Sequence, residues 1–118
     1  MNQKFRLKRS ADFKKVKDSG QTHYHPYLKL AVANNGLAIS RFGVVVSKII
    51  GNAVVRNRCK RRVRAVLNQN KQNYENGWDF VFIIRKRFLH STACDLQAAV
   101  EHLVQEAGLL KTKNNKNL

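Results

Sequence analysis

A chain of 118 residues has room for one folded domain around one modest hydrophobic core. Its 23 Lys and Arg against 7 Asp and Glu leave a formal net charge of +16, which excludes a cationic partner and points to a polyanion. A hydrophobic content of 43% excludes a disordered basic tail.

In chain order, residues 10–19 predict a short amphipathic helix, with Ser10 as N-cap, Phe13 and Val16 one turn apart on its inner face, and Gly20 closing it in the left-handed conformation. So short a helix needs a surface to dock on. Residues 27–33 alternate, with Leu28, Leu30 and Val32 on one side and Tyr27, Lys29 and Ala31 on the other, which is the period of a strand. Pro26 marks a strand start or a bend. Asn34, Asn35 and Gly36 signal a turn, and residues 42–46 then predict a second, β-branched strand that pairs with the first as a hairpin.

A second helix follows Gly51 and Asn52. Residues 78–85 are apolar on both faces and predict a central strand, so the sheet is expected to be covered on both sides. A last helix starts at Ser91 or Thr92, where Thr92 and Asp95 have capping-box spacing. It carries Leu96, Val100, Leu103 and Ala107 on one face, and Gly108 stops it. The order helix, two or three strands, helix, strand, helix predicts a single-domain α+β sandwich over residues 1–110, with a basic tail at 111–118.

The sharpest feature is the second helix. Lys48, Arg56, Arg58, Lys60, Arg61, Arg62 and Arg64 occur within residues 48–64 without one acidic residue among them. On a wheel of about 100° per residue with Cys59 at zero, Val55, Val63, Val66 and Leu67 fall within about 120° of arc, the buried stripe. Lys60, Arg64, Asn57, Arg61 and Arg58 occupy the opposite side. A structural helix mixes signs, because like charges four apart, such as Lys60 and Arg64, repel by a few tenths of a kcal/mol. The excess of Arg over Lys points to phosphate, since a planar guanidinium holds two phosphate oxygens at once. Asn57 suits a base edge or a 2′-hydroxyl.

A second basic region lies near the start, where Lys4, Arg6, Lys8, Arg9, Lys14, Lys15 and Lys17 surround Phe5, Phe13 and Val16. With Tyr27 and Lys29 on the outer side of the first strand, it resembles a platform for a single-stranded nucleic acid, on which bases stack while lysines follow the backbone.

Residues 47–64, with the core Gly51-Asn52-Ala53-Val54, then Arg56-Asn57-Arg58, Lys60-Arg61 and Arg64, closely resemble the signature of the bacterial ribonuclease P protein subunit. Arg6-Leu7-Lys8, Asp12-Phe13, Val16 and the strand Asp79-Phe80-Val81-Phe82-Ile83 extend the resemblance over nearly the whole chain. What the resemblance implies is an accessory subunit whose basic crossover helix lies on a large catalytic RNA. The RNA-facing set is then Lys48, Asn52, Arg56, Asn57, Arg58, Lys60, Arg61, Arg62 and Arg64. The RNA performs the Mg²⁺-dependent hydrolysis that releases the 5′ leader of precursor tRNA, and it holds most of the Mg²⁺. The leader is expected in a groove between first helix and sheet, contacted by Phe13, Lys14, Lys17, Tyr27, Lys29 and Phe42. Lys17 stands where many members carry a second aromatic, so the leader contact here leans on charge.

Other chemistry finds little support. The seven acids, Asp12, Asp18, Glu75, Asp79, Asp95, Glu101 and Glu106, show no paired-carboxylate motif for a two-metal site, so no activity is expected of the protein alone. His23 and His25 lack a third ligand, and His90 and His102 carry no motif. Cys59 and Cys94 lack metal-ligand spacing and are read as small buried hydrophobes. Residues 1–9 lack the apolar run of a signal peptide and no stretch reaches membrane-spanning length, so a cytoplasmic protein is expected, with RNA partners and no obligate protein partner. A structural RNA-binding protein of ribosomal type is the alternative, and a DNA reader lacks its helix-turn-helix.

Overall fold

Strand periodicity and helix stripes assemble into one sheet with helices on both faces in a computed structural model, which describes residues 1–111. The elements are α1 (Ser10–Ser19), β1 (Gln21–Tyr24), β2 (Leu28–Asn34), β3 (Arg41–Val45), α2 (Ala53–Asn70), β4 (Trp78–Ile84) and α3 (Ala93–Glu106). The strands lie in the order β1-β2-β4-β3, antiparallel except for the parallel pair β3 and β4, which α2 connects. This is the α+β sandwich that the element order predicts. The tail reading beyond Lys111 lies outside the described residues.

One face of the sheet buries Leu28, Leu30, Val32, Phe42, Val44, Phe80, Phe82 and Ile84 against Cys59, Val63 and Leu67 of α2 and Leu96, Val100 and Leu103 of α3. On the other face a smaller cluster of Leu7, Val16, Ala31 and Val81 seats α1. β4 feeds both clusters because its alternate residues point opposite ways, which is why it is apolar on both faces.

Three local expectations are corrected. The two strands either side of the Asn34–Gly36 turn do not pair with each other: β4 runs between them, and the hairpin partner of β2 is β1. Arg9, not Ser10, occupies the N-cap of α1, and it makes no side-chain capping bond. Gly20 is extended (φ −85°, ψ 166°) rather than left-handed. Glycine is needed there for space, since a Cβ would overlap the carbonyl oxygens of Val16 and Val32. Of the cysteines Cys59 is buried and Cys94 exposed.

α3 begins with the capping box that Thr92 and Asp95 predict: Thr92 Oγ1 accepts from the Asp95 amide at 3.1 Å, and Asp95 Oδ2 accepts from the Thr92 amide at 3.0 Å.

Candidate nucleic-acid interface

α2 owes its position to its apolar stripe and its start to Asn52, whose Oδ1 accepts from the Val55 amide at 3.0 Å. With Cys59, Val63 and Leu67 buried, the opposite side turns outward as the wheel predicts. Asn57, Arg58 and Arg61 are exposed, and Lys60 and Arg64 are half-buried by their stems. Lys48 is exposed on a 3₁₀ turn just before α2. Among the described residues none of these cations reaches a carboxylate. Desolvation first, and then repulsion from Arg6, lowers the pKa of Arg64, which stays charged and would gain from an anion.

Two members of the predicted set face inward on the protein's own structure. Arg62 donates from Nη2 to the Ser91 carbonyl at 2.8 Å and to Ser91 Oγ at 3.2 Å. Its guanidinium lies 4.8 Å from the centre of the Phe88 ring, so it fastens α2 to the segment before α3. Arg56 donates from Nε to the Gly51 carbonyl at 3.1 Å, bracing the start of the helix.

The acids lie elsewhere. Asp12 and Asp79 both approach Arg41, Asp18 approaches Lys14, and Glu106 lies between His23 and His102. His23 faces α3 from β1 and His25 lies just past β1; among the described residues no three His, Cys, Asp or Glu side chains converge as candidate cation ligands. Desolvation, and then His102, lowers the pKa of His25. Burial raises that of Cys59, so it stays a thiol inside the stripe.

The second surface lies on the opposite face of the sheet. Strand parity and register set out its floor: Arg41 and Asp79 in one row, Ala31, Val81 and Gly43 in the next, and Tyr24, Lys29, Ile83 and Val45 in a third. α1 covers the middle row. Gly43 makes room for it, since a Cβ at that position would overlap the Phe13 ring. Beside the helix, Ser10, Phe13, Lys14, Lys17, Asp18 and Val45 line a cavity of about 310 Å³. Phe13, Lys14 and Lys17 are thus brought together as expected, with Lys29 on the same sheet face.

Tyr27 and Phe42 do not join them. Tyr27 precedes the first residue of β2, so the strand's alternation does not reach it, and it packs instead towards α3 beside His25 and His102. Phe42 points into the main core, only 4% exposed, and stacks on Phe80 with ring centroids 5.0 Å apart. The aromatic that the sequence reading missed is Tyr24, directly across from Lys29 and 63% exposed on the edge strand. Near it, Arg85, Lys86 and Arg87 line a further cavity of about 400 Å³. The signal for β1 was weak, because Gln21, Thr22, His23 and Tyr24 carry no apolar alternation.

Comparison with known proteins decides what this arrangement belongs to. The family model for ribonuclease P matches residues 1–108. The chain belongs to the ribonuclease P protein family. It is similar to the ribonuclease P protein component of Herpetosiphon aurantiacus, 39% identical over 109 residues covering 92% of this chain and 89% of that protein. The component of Clostridium kluyveri is 38% identical, covering 91% and 97%. Among solved structures, the RNase P protein of Staphylococcus aureus superposes with a TM-score of 0.83 at 29% identity, covering 91% of this chain and 98% of that one. That of Thermotoga maritima gives 0.79 at 30%, covering 86% and 96%. Members of the ribonuclease P protein family thus share the mixed α+β sheet found here.

Proposed function

We propose that this chain is the accessory protein of a ribonuclease P ribonucleoprotein, gripping the catalytic RNA with the outer face of α2 and the 5′ leader of precursor tRNA with the groove beside α1. The observation that carries the reading is the unpaired cationic face of α2, where Arg58, Lys60, Arg61 and Arg64 stand on a helix that contains no acidic residue and reach no carboxylate among the described residues. Phosphates relieve the repulsion among those groups and release the counterions condensed on the RNA.

In the groove, the Phe13 ring offers one stacking face, and Lys14, Lys17 and Lys29 supply charge for a single strand's backbone. The protein's work is positioning: it holds the leader so that the scissile bond lies where the RNA acts on it. Mg²⁺ supplies Lewis-acid chemistry in this reaction. The protein's own carboxylates do not fit that ion, since Asp12 and Asp79 are drawn to the Arg41 guanidinium, and we assign the Mg²⁺ to the RNA. Among the described residues no helix is long and apolar enough to cross a membrane, and we place the particle in the cytoplasm.

The test is reconstitution. Mixed with a bacterial-type ribonuclease P RNA at low Mg²⁺, the chain should accelerate cleavage of precursor tRNA while cutting nothing by itself. A chain that binds the RNA without favouring precursor over mature tRNA is instead a structural RNA-binding protein of ribosomal type.

A further inference from the structure

α1 has few means of holding its place. It is ten residues long, its N-cap residue Arg9 makes no side-chain bond, and only Val16 is fully buried, with Phe13 half-buried beside it. A helix of that length does not persist without tertiary contacts. One polar contact reaches its first turn: Asp12 Oδ2 lies 3.7 Å from Arg41 Nη1.

Arg41 is itself rigidly held. Its Nε donates to Asp79 Oδ1 at 2.9 Å and its Nη2 to Asp79 Oδ2 at 2.8 Å, a two-pronged grip on a carboxylate that also accepts from Asn35 Nδ2 at 2.9 Å. The guanidinium therefore spends two prongs on the sheet and offers the third to the helix. Asp79 is first among the causes that raise the Arg41 pKa. Such partly buried pairs add little net stability but fix geometry.

The consequence lies one residue along the helix and two along the strand. Phe13 follows Asp12, and its ring sits over Gly43, two residues beyond Arg41 on β3. We propose that Asp12 and Arg41 form a positioning clamp that seats Phe13 on Gly43 and so sets the width and affinity of the groove. This rests on the leader-groove reading above. Asp12 touches no RNA in this role, and it acts through the placement of its neighbour.

The test compares Asp12→Asn and Arg41→Lys in the reconstituted particle. A lysine is a single point of charge and cannot hold Asp79 by two prongs while reaching Asp12. Both variants should lose leader affinity roughly two- to fivefold, the scale of an ion pair that solvent partly reaches, with affinity for leaderless tRNA and for the RNA subunit unchanged. In the protein alone, the ring-current shift that Phe13 imposes on the Gly43 α-protons should shrink in both, while far-UV circular dichroism stays as in the parent. A folded Asp12→Asn protein that keeps both the ring-current shift and the leader affinity overturns the clamp. If the ring-current shift shrinks while leader affinity holds in Phe13→Ala as well, the clamp stands and the leader-groove reading fails.

Discussion

The outer face of α2 and the groove beside α1 carry the same sign of charge and are built in opposite ways. The face of α2 comes from one continuous helix, so the spacing of its cations is set by 3.6 residues per turn and by one buried stripe of Cys59, Val63 and Leu67. The groove is assembled from α1, β1, β2, β3 and β4, and its geometry exists only once the strands are in order. A rigid, single-element surface suits a large folded RNA. A seam between elements suits a strand that must be threaded.

The difference can be tested from its strongest side first. Arg58→Ala with Lys60→Ala removes two exposed or half-exposed cations without touching the stripe. Assembly with the RNA should weaken at least tenfold at low salt, and the slope of log affinity against log salt should flatten by roughly 1.5, the contribution of two phosphate contacts. An unchanged slope would remove α2 as the RNA-facing surface. On the groove side, Phe13→Ala should lower affinity for leader-bearing tRNA by roughly 1–3 kcal/mol and that for leaderless tRNA little, the stacking contribution of one base. Equal losses on both substrates would take the leader out of this groove. Tyr24→Ala should repeat the pattern more weakly, and only with leaders long enough to reach β1.

Those contrasts explain what the residues disclosed in advance. The α2 surface was legible because helix periodicity is local: the stripe and the cationic arc follow from the order of side chains alone. The capping box at Thr92 and Asp95 was legible for the same reason. The hairpin was not, because a turn signal at Asn34 to Gly36 says that the chain bends and nothing about which strand fills the space alongside; β4, more than forty residues later, takes it. Phe42, expected in the groove from the family resemblance alone, lies inside β3 with its ring in the main core; Tyr27 fails for a local reason. Parity assigns a face only within a strand's true bounds, and Tyr27 falls one residue short of β2.

Arg62 sharpens the comparison from inside α2. It belongs to the basic run by sequence and to the core by contact, with Ser91 and Phe88 as partners. Arg62→Ala should therefore cost roughly 1–3 kcal/mol of stability by leaving its hydrogen-bond partners unmatched, seen as a lower denaturation midpoint. The salt slope of RNA assembly should stay as it was. A flattened slope with unchanged stability would return Arg62 to the RNA-facing set.

The smallest effect is expected at α3, which carries neither surface and serves as the internal control. Thr92→Ala removes one half of the capping box and should lower the Tm by roughly 2–8 °C, with no change in RNA or leader affinity. The pH dependence has a definite sign. Hydrogen bonds from the Thr92 amide and then its hydroxyl hold the Asp95 carboxyl below its ordinary value, so the folded state favours the ionised form. Its stabilisation is present above the ordinary carboxylate range and is lost as pH falls through the lowered value. Asp95→Asn should accordingly melt below the parent at neutral pH and converge with it in acid. A gap that persists undiminished in acid would mean that the ionised carboxylate is not what closes the cap.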